Sequence, residues 1–217
     1  MIYEDVSYEE PIRQGDIFVA VPKVELQLSN ITRAVEDNTI STGAWDDVRS
    51  GEEPISLIVQ ARPITAIVIS QDCDASRAQD ISLCEVRRFH DVEGRDKGTS
   101  DKPKKWVGLI TQHARINQKW FYLPVDGRFQ IHVKMAADFR VVVQLPLVDL
   151  EMLRTVHRVG RLNGVAGEHF HERISEFFRR YPYDEWYPLD GPELEYYRGR
   201  SPEPIAAFPW QEAPDAD

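Results

Sequence analysis

The chain has 217 residues, 42% of them hydrophobic and 29% charged, with a net charge of −10 and two cysteines. That length supports one domain with a sizeable core, and the composition is that of an ordinary globular chain rather than a disordered or fibrous one. Two cysteines make no disulfide framework, no apolar run approaches the roughly 20 residues that span a bilayer, and the acidic start MIYEDVSYEEPIRQGD is no signal peptide. The expected setting is cytoplasmic, with no membrane partner.

Charge is unevenly spread. Residues 87–134 carry 11 basic and 5 acidic side chains, whereas the tail from 182 carries 2 basic and 9 acidic. The basic middle could meet a polyanion, but the acidic whole opposes nonspecific nucleic-acid binding, and charge runs are commonly solvated loops.

Taken in order, residues 1–14 read as an extended arm anchored by Tyr3 and Tyr8. Gly15-Asp16 then opens a strand, IFVAV, that continues past Pro22 as KVELQL with Val24, Leu26 and Leu28 on one face. The polar stretch 29–54 reads as a long insertion whose Trp45 tucks back onto the body. Residues 55–60 and 64–70 form two short apolar runs around Arg62-Pro63. The second ends abruptly in Ser70-Gln71-Asp72-Cys73-Asp74, as a buried central strand does when it leaves the core.

DISLCEV at 80–86 alternates cleanly, with Ile81 and Leu83 on one face and Ser82, Cys84 and Val86 on the other. A second polar insertion covers 89–105. Strand-like runs follow at 106–110, 119–125, 129–133 and 139–145, with Asp126-Gly127 predicting a hairpin between two of them. Short strands at this spacing predict a barrel or sandwich rather than βαβ units. A short helix or bent strand is expected over 148–153. From 167 to 181, Phe170, Ile174, Phe177, Phe178 and Tyr181 fall on one face of a 3.6-residue period, and Pro182 stops that helix. Residues 1–181 therefore make one domain. Residues 182–217 make an extended aromatic, proline-rich acidic tail, flexible from about 200.

Four motifs, in order, resemble the MazF/PemK toxin family of small RNA-cleaving SH3-like barrels. They are Arg13-Gln14-Gly15-Asp16-Ile17, Arg62-Pro63 with Ala66 to Ser70, the run from Phe139 to Leu153, and Val159-Gly160-Arg161-Leu162 before the last helix. Each motif is short. The chain is about twice the family's length, and 29–54 replaces the family's glycine-rich loop. The ending Ser-Gln-Asp-Cys-Asp also resembles uncharacterised bacterial proteins with a strand ending in Cys-Asp. The resemblance implies a mainly β, β-rich α+β fold: a PemK-like barrel with long insertions and a C-terminal amphipathic helix. It also implies an RNA-engaging toxin or defence protein, with a metal-independent endoribonuclease as the enzyme if one survives. Arg62 alone matches a family catalytic position, where its fork would stabilise phosphate charge.

The candidate catalytic set combines Arg62, Ser70, Asp72, Cys73 and Asp74. The candidate RNA-binding set is Arg87, Arg88, Lys104, Lys105, Trp106, Lys119 and Trp120, a mix of cations and aromatics that can hold phosphates and stack bases, or equally form a half-buried strand. Cys73 could be a nucleophile if one of His90, His113, His132, His157, His169 or His171 approached it, although the flanking carboxylates oppose thiolate formation. No ligand spacing supports a metal, and no cofactor is expected. Two further readings stay open beside the RNA one, a non-enzymatic protein-interaction module and a cysteine-dependent hydrolase. Candidate partners are RNA, a protein partner or antitoxin, and a second copy in a homodimer.

Overall fold

A computed structural model describes residues 1–34, 39–49, 54–93, 102 and 119–179, and the fold below belongs to the unit Met1–Phe178. The fold is mainly β. Seven strands form one antiparallel sheet in the order β1 (Tyr3–Glu4), β10 (Arg158–Leu162), β2 (Asp16–Glu25), β6 (Gln60–Val68), β7 (Asp80–Arg88), β9 (Met135–Pro146), β8 (Trp120–Leu123). The sheet curls into a half-barrel. Its two edges are drawn together where Tyr3 of β1 donates its hydroxyl to the carbonyl of Pro124, just past β8, at 2.7 Å. The Tyr3 ring also lies 5.2 Å from that of Phe129.

Both faces of the central strands are covered, which explains the uninterrupted apolar run at 64–69. On the inner face Ile17, Ile67, Cys84, Val86 and Phe139 pack with Phe129 and Leu123. Helix α5 (Gly164–Phe178) closes that side with Ala166, Phe170 and Ile174. Fully burying Phe170 and Ile174 is worth about 1.5–3 kcal/mol each. On the outer face Phe18, Val21, Ala66, Val68, Ile81 and Leu83 are covered by Ile12 of the arm and Leu150 of α4 (Leu147–His157).

Several expectations are corrected. The 29–54 stretch is not a bare loop: its strands β3 (Ile31–Ala34) and β4 (Ile40–Gly43) join β5 (Leu57–Ile58), just beyond it, in a separate small sheet in the order β4-β3-β5, and α1 (Trp45–Val48) follows β4. Trp45 does not tuck back, being 39% exposed, and Tyr8 is no anchor at 60%. The 80–86 alternation holds, but β2 is interrupted by a bulge at Ala20, whose φ of 55° breaks the simple two-residue period. Asp126-Gly127 makes no hairpin. Asp126 instead caps a 3-10 turn over Gly127–Phe129, and 129–133 contributes only the bridge Asp126–Ile131. The helix expected over 148–153 extends over Leu147–His157, and the last helix begins earlier than expected, at Gly164. Phe89–Glu93 is a short helix, α3, rather than loop. The 106–110 run, Tyr181 and the tail lie outside the described residues.

Candidate functional site

Two of the resemblance motifs meet in space. In the β10–β2 ladder Arg161 stands opposite Asp16. Asp16, with no solvent exposure, accepts from Arg161 and from Arg158, and the same two guanidinium groups hold the carbonyls of Ser7, Glu10 and Pro11. This ion cluster pins the arm to the barrel and leaves the Arg13–Asp16 turn in a fixed position. Gly15 fits that turn with φ at 88°, and its amide binds the Val68 carbonyl at 3.0 Å.

Beyond Val68 the chain leaves β6 and forms a single helical turn, α2 (Asp72–Ala75). Ser70 is tied back to β7, its hydroxyl accepting from the Ser82 amide at 2.9 Å. Asp72 accepts the Gln14 amide at 2.9 Å. Cys73 is exposed, with its thiol 3.9 Å from both the Gln71 and the Asp74 side-chain oxygens. The strand end and α5 enclose a two-lobed furrow. One lobe, about 520 Å³, includes Ser70, Asp74, Ser82, Gln144 and Ser175. The other, about 550 Å³, includes Asp72, Cys73, Gly164, Gly167 and Glu168. Gln14, Gln71 and His171 line both lobes.

Of the candidate histidines, His171 lines the furrow. It projects from α5 and its Nδ1 lies 2.9 Å from Gln14 Oε1, across 157 residues of chain. Neither residue was in the candidate catalytic set. Gln14 lay inside the Arg13–Ile17 motif, but nothing in the spacing pointed to its partner. Among the other histidines, His90 pairs with Asp91 at 2.9 Å, and His113 lies outside the described residues.

The furrow is acidic. Glu4, Asp72, Asp74 and Glu168 line it, against Arg13 and an Arg161 already engaged by Asp16 and Glu10. A Cβ on Gly164 or Gly167 would meet nothing within 4 Å, so the helix start leaves that lobe open.

Arg62 lies elsewhere. It sits near the beginning of β6, eight residues before Ser70 and therefore roughly 25 Å away along an extended strand. Its Nε meets Glu25 at 2.6 Å and its Nη2 meets Glu85 at 2.7 Å, while Lys23 takes the second Glu85 oxygen at 2.6 Å. The four charges balance. Burial alone would raise the Glu85 carboxyl, but hydrogen bonds and charge from Lys23 and Arg62 hold it below the usual carboxylate range. The structure thus brings Ser70, Asp72, Cys73 and Asp74 together and leaves Arg62 in a separate ion lattice.

Of the RNA-directed candidates, Arg87 faces Asp138 at 3.4 Å and Arg88 is exposed. Lys119 is half-buried, and Trp120 is 4% exposed, packed edge-on against Phe89 with centroids 4.8 Å apart. Trp120 is a core residue with no face open to a base. Lys104, Lys105 and Trp106 lie outside the described residues. Among the described residues no group of three His, Cys, Asp or Glu side chains is placed to hold a metal ion, and no helix is long and apolar enough to cross a membrane.

Compared with known protein families and with curated proteins, the chain finds no match.

Proposed function

We propose that the protein is a cysteine-dependent hydrolase working in the furrow at the end of β6, with Cys73 as nucleophile and His171 as its base. One observation carries this reading: an exposed thiol and a histidine with one ring nitrogen already bound line the same open lobe. In the step proposed, the Cys73 thiol gives its proton to His171 and the sulfur adds to an acyl carbon. The leaving group departs with the proton from His171, and water then releases the acyl group from sulfur. The imidazolium formed midway offsets the carboxylates of Asp72 and Asp74.

The acidic lining favours a neutral or cationic acyl substrate, such as a peptide-like amide or ester, over a polyanion. The RNA-directed reading that the resemblance implied draws no support from Arg62, whose fork already meets two carboxylates.

The test uses the full chain with p-nitrophenyl esters and a basic peptide thioester, followed by product release and intact mass. Wild type is expected to show one acyl adduct on Cys73, absent from Cys73→Ser and formed roughly 100-fold more slowly in His171→Ala. Folded wild type that forms no adduct and turns over neither substrate would overturn the reading.

A further inference from the structure

We infer that Gln14 is a positioning residue that fixes the tautomer of His171, so that the neutral ring carries its proton on Nδ1 and keeps Nε2 free as the base; the catalytic meaning of this rests on the furrow reading above. Two hydrogen bonds lead to it. Gln14 Nε2 lies 2.7 Å from the Ile69 carbonyl, and Gln14 Oε1 lies 2.9 Å from His171 Nδ1. The opposite orientation of the amide would set Oε1 against the Ile69 carbonyl, oxygen against oxygen at that distance. A carbonyl only accepts, so the amide nitrogen must face Ile69 and the amide oxygen must face the ring. An oxygen facing Nδ1 requires a proton there, and in a neutral imidazole a proton on Nδ1 means an unprotonated Nε2.

Gln14 is itself immobilised. Its backbone amide donates to Asp72 at 2.9 Å. The Arg13 amide donates to Asp16 at 3.0 Å, and the Gly15 amide to Val68 at 3.0 Å. Ile69 directly follows core strand β6 on the way into the Cys73 turn, and it is 8% exposed. The chain of bonds therefore runs from the strand that presents the thiol, through Gln14, to the ring that would take the thiol proton. A lone thiol supplies no such logic; the built feature is a rigid acceptor aimed at one of two ring nitrogens.

The test is a long-range proton–nitrogen correlation spectrum of the full chain labelled with 15N-histidine, recorded at a pH where the ring is neutral. The His171 signals are assigned by their loss in His171→Asn. Wild type is expected to show a protonated Nδ1 and an unprotonated Nε2 at His171. Gln14→Met, which offers no acceptor, loses that pattern and shows proton density on Nε2. A wild-type His171 with its proton on Nε2 overturns the inference without any variant, and so does a Gln14→Met protein whose spectrum is unchanged. Because the readout needs no turnover, an inert Cys73 beside an Nδ1-protonated His171 would sink the hydrolase reading and leave the assignment of Gln14 standing.

Discussion

Arg161 forks onto Asp16: its Nε and Nη2 reach the two carboxylate oxygens of a residue with no solvent exposure, and Arg158 meets the second oxygen at 3.1 Å. The pair joins the strand that opens the barrel to the strand that precedes α5. It also fixes the turn carrying Gln14, and so lies beneath the furrow without lining it through Asp16.

Removing Asp16 leaves buried Arg158 without its carboxylate and Arg161 with only the exposed Glu10. Asp16→Asn leaves two guanidinium groups facing a neutral amide, which is expected to cost about 3–5 kcal/mol. Arg161→Lys keeps the charge and loses the fork, so it is expected to fall well short of wild type. Urea unfolding of both variants measures this. An Asp16→Asn protein as stable as wild type would contradict the clamp.

The Lys23–Arg62–Glu85–Glu25 lattice gives a pH dependence of known sign. The folded-state pKa of Glu85 is held below its ordinary value of 4.5, so its contribution is full above that value and is lost as pH falls through the lower folded value. Asp138 is also held low: burial would raise it, but hydrogen bonds and charge from Arg140, with Arg87 nearby, outweigh that, so it adds in the same direction. Glu85→Gln is expected to cost about 1–2 kcal/mol at pH 7, because its partners are partly exposed and can rehydrate, and to flatten the acid limb without abolishing it. Denaturation midpoints at pH 7 and pH 4 give both numbers. Arg62→Ala is expected to cost about 1 kcal/mol and to leave the furrow chemistry intact.

Gly160 is required by close approach. A Cβ there would lie 2.2 Å from Phe129 Cδ1 and 3.0 Å from the Glu4 carbonyl. Gly160→Ala must therefore displace a fully buried ring that helps to hold the barrel edges together, at a cost of about 2–3 kcal/mol. Adding Phe129→Leu should recover part of that loss if the ring is the obstacle. A double variant whose loss equals the sum of the two single losses would show that it is not.

The two cysteines should separate by burial. Cys84 is sealed in the core, where burial, with the Asp138 charge adding, pushes its thiol up to about 12, whereas Cys73 is exposed. Native protein treated with iodoacetamide is expected to take one label, at Cys73, and a second only on unfolding. Native labelling of Cys84 would contradict the packing of β7 against β6.

What the sequence revealed depended on how local the cause was. The alternation of Ile81, Leu83 and Cys84, and the helical spacing of Phe170 and Ile174, are local, and both appear in the core as expected. The bulge at Ala20 was hidden because alanine carries no turn signal, and the positive φ is imposed by the pairing of β2 with β6. The strands within 29–54 were hidden because β3 and β4 are short and half-buried or exposed, with Ile31 their one buried side chain, which reads as loop. In the furrow, Ser70 to Asp74 were legible from an apolar run ending abruptly. Gln14 and His171 were not, since their meeting depends on where the barrel places α5 against the arm.

The most direct test of the furrow is the rate of Cys73 alkylation by iodoacetamide at about pH 7 in wild type and in His171→Ala, with Cys84 buried and silent. If His171 takes the thiol proton, His171→Ala is expected to react roughly 10-fold more slowly than wild type. Equal rates for the two proteins would mean that Cys73 and His171 share a furrow without sharing a proton, and would contradict the account.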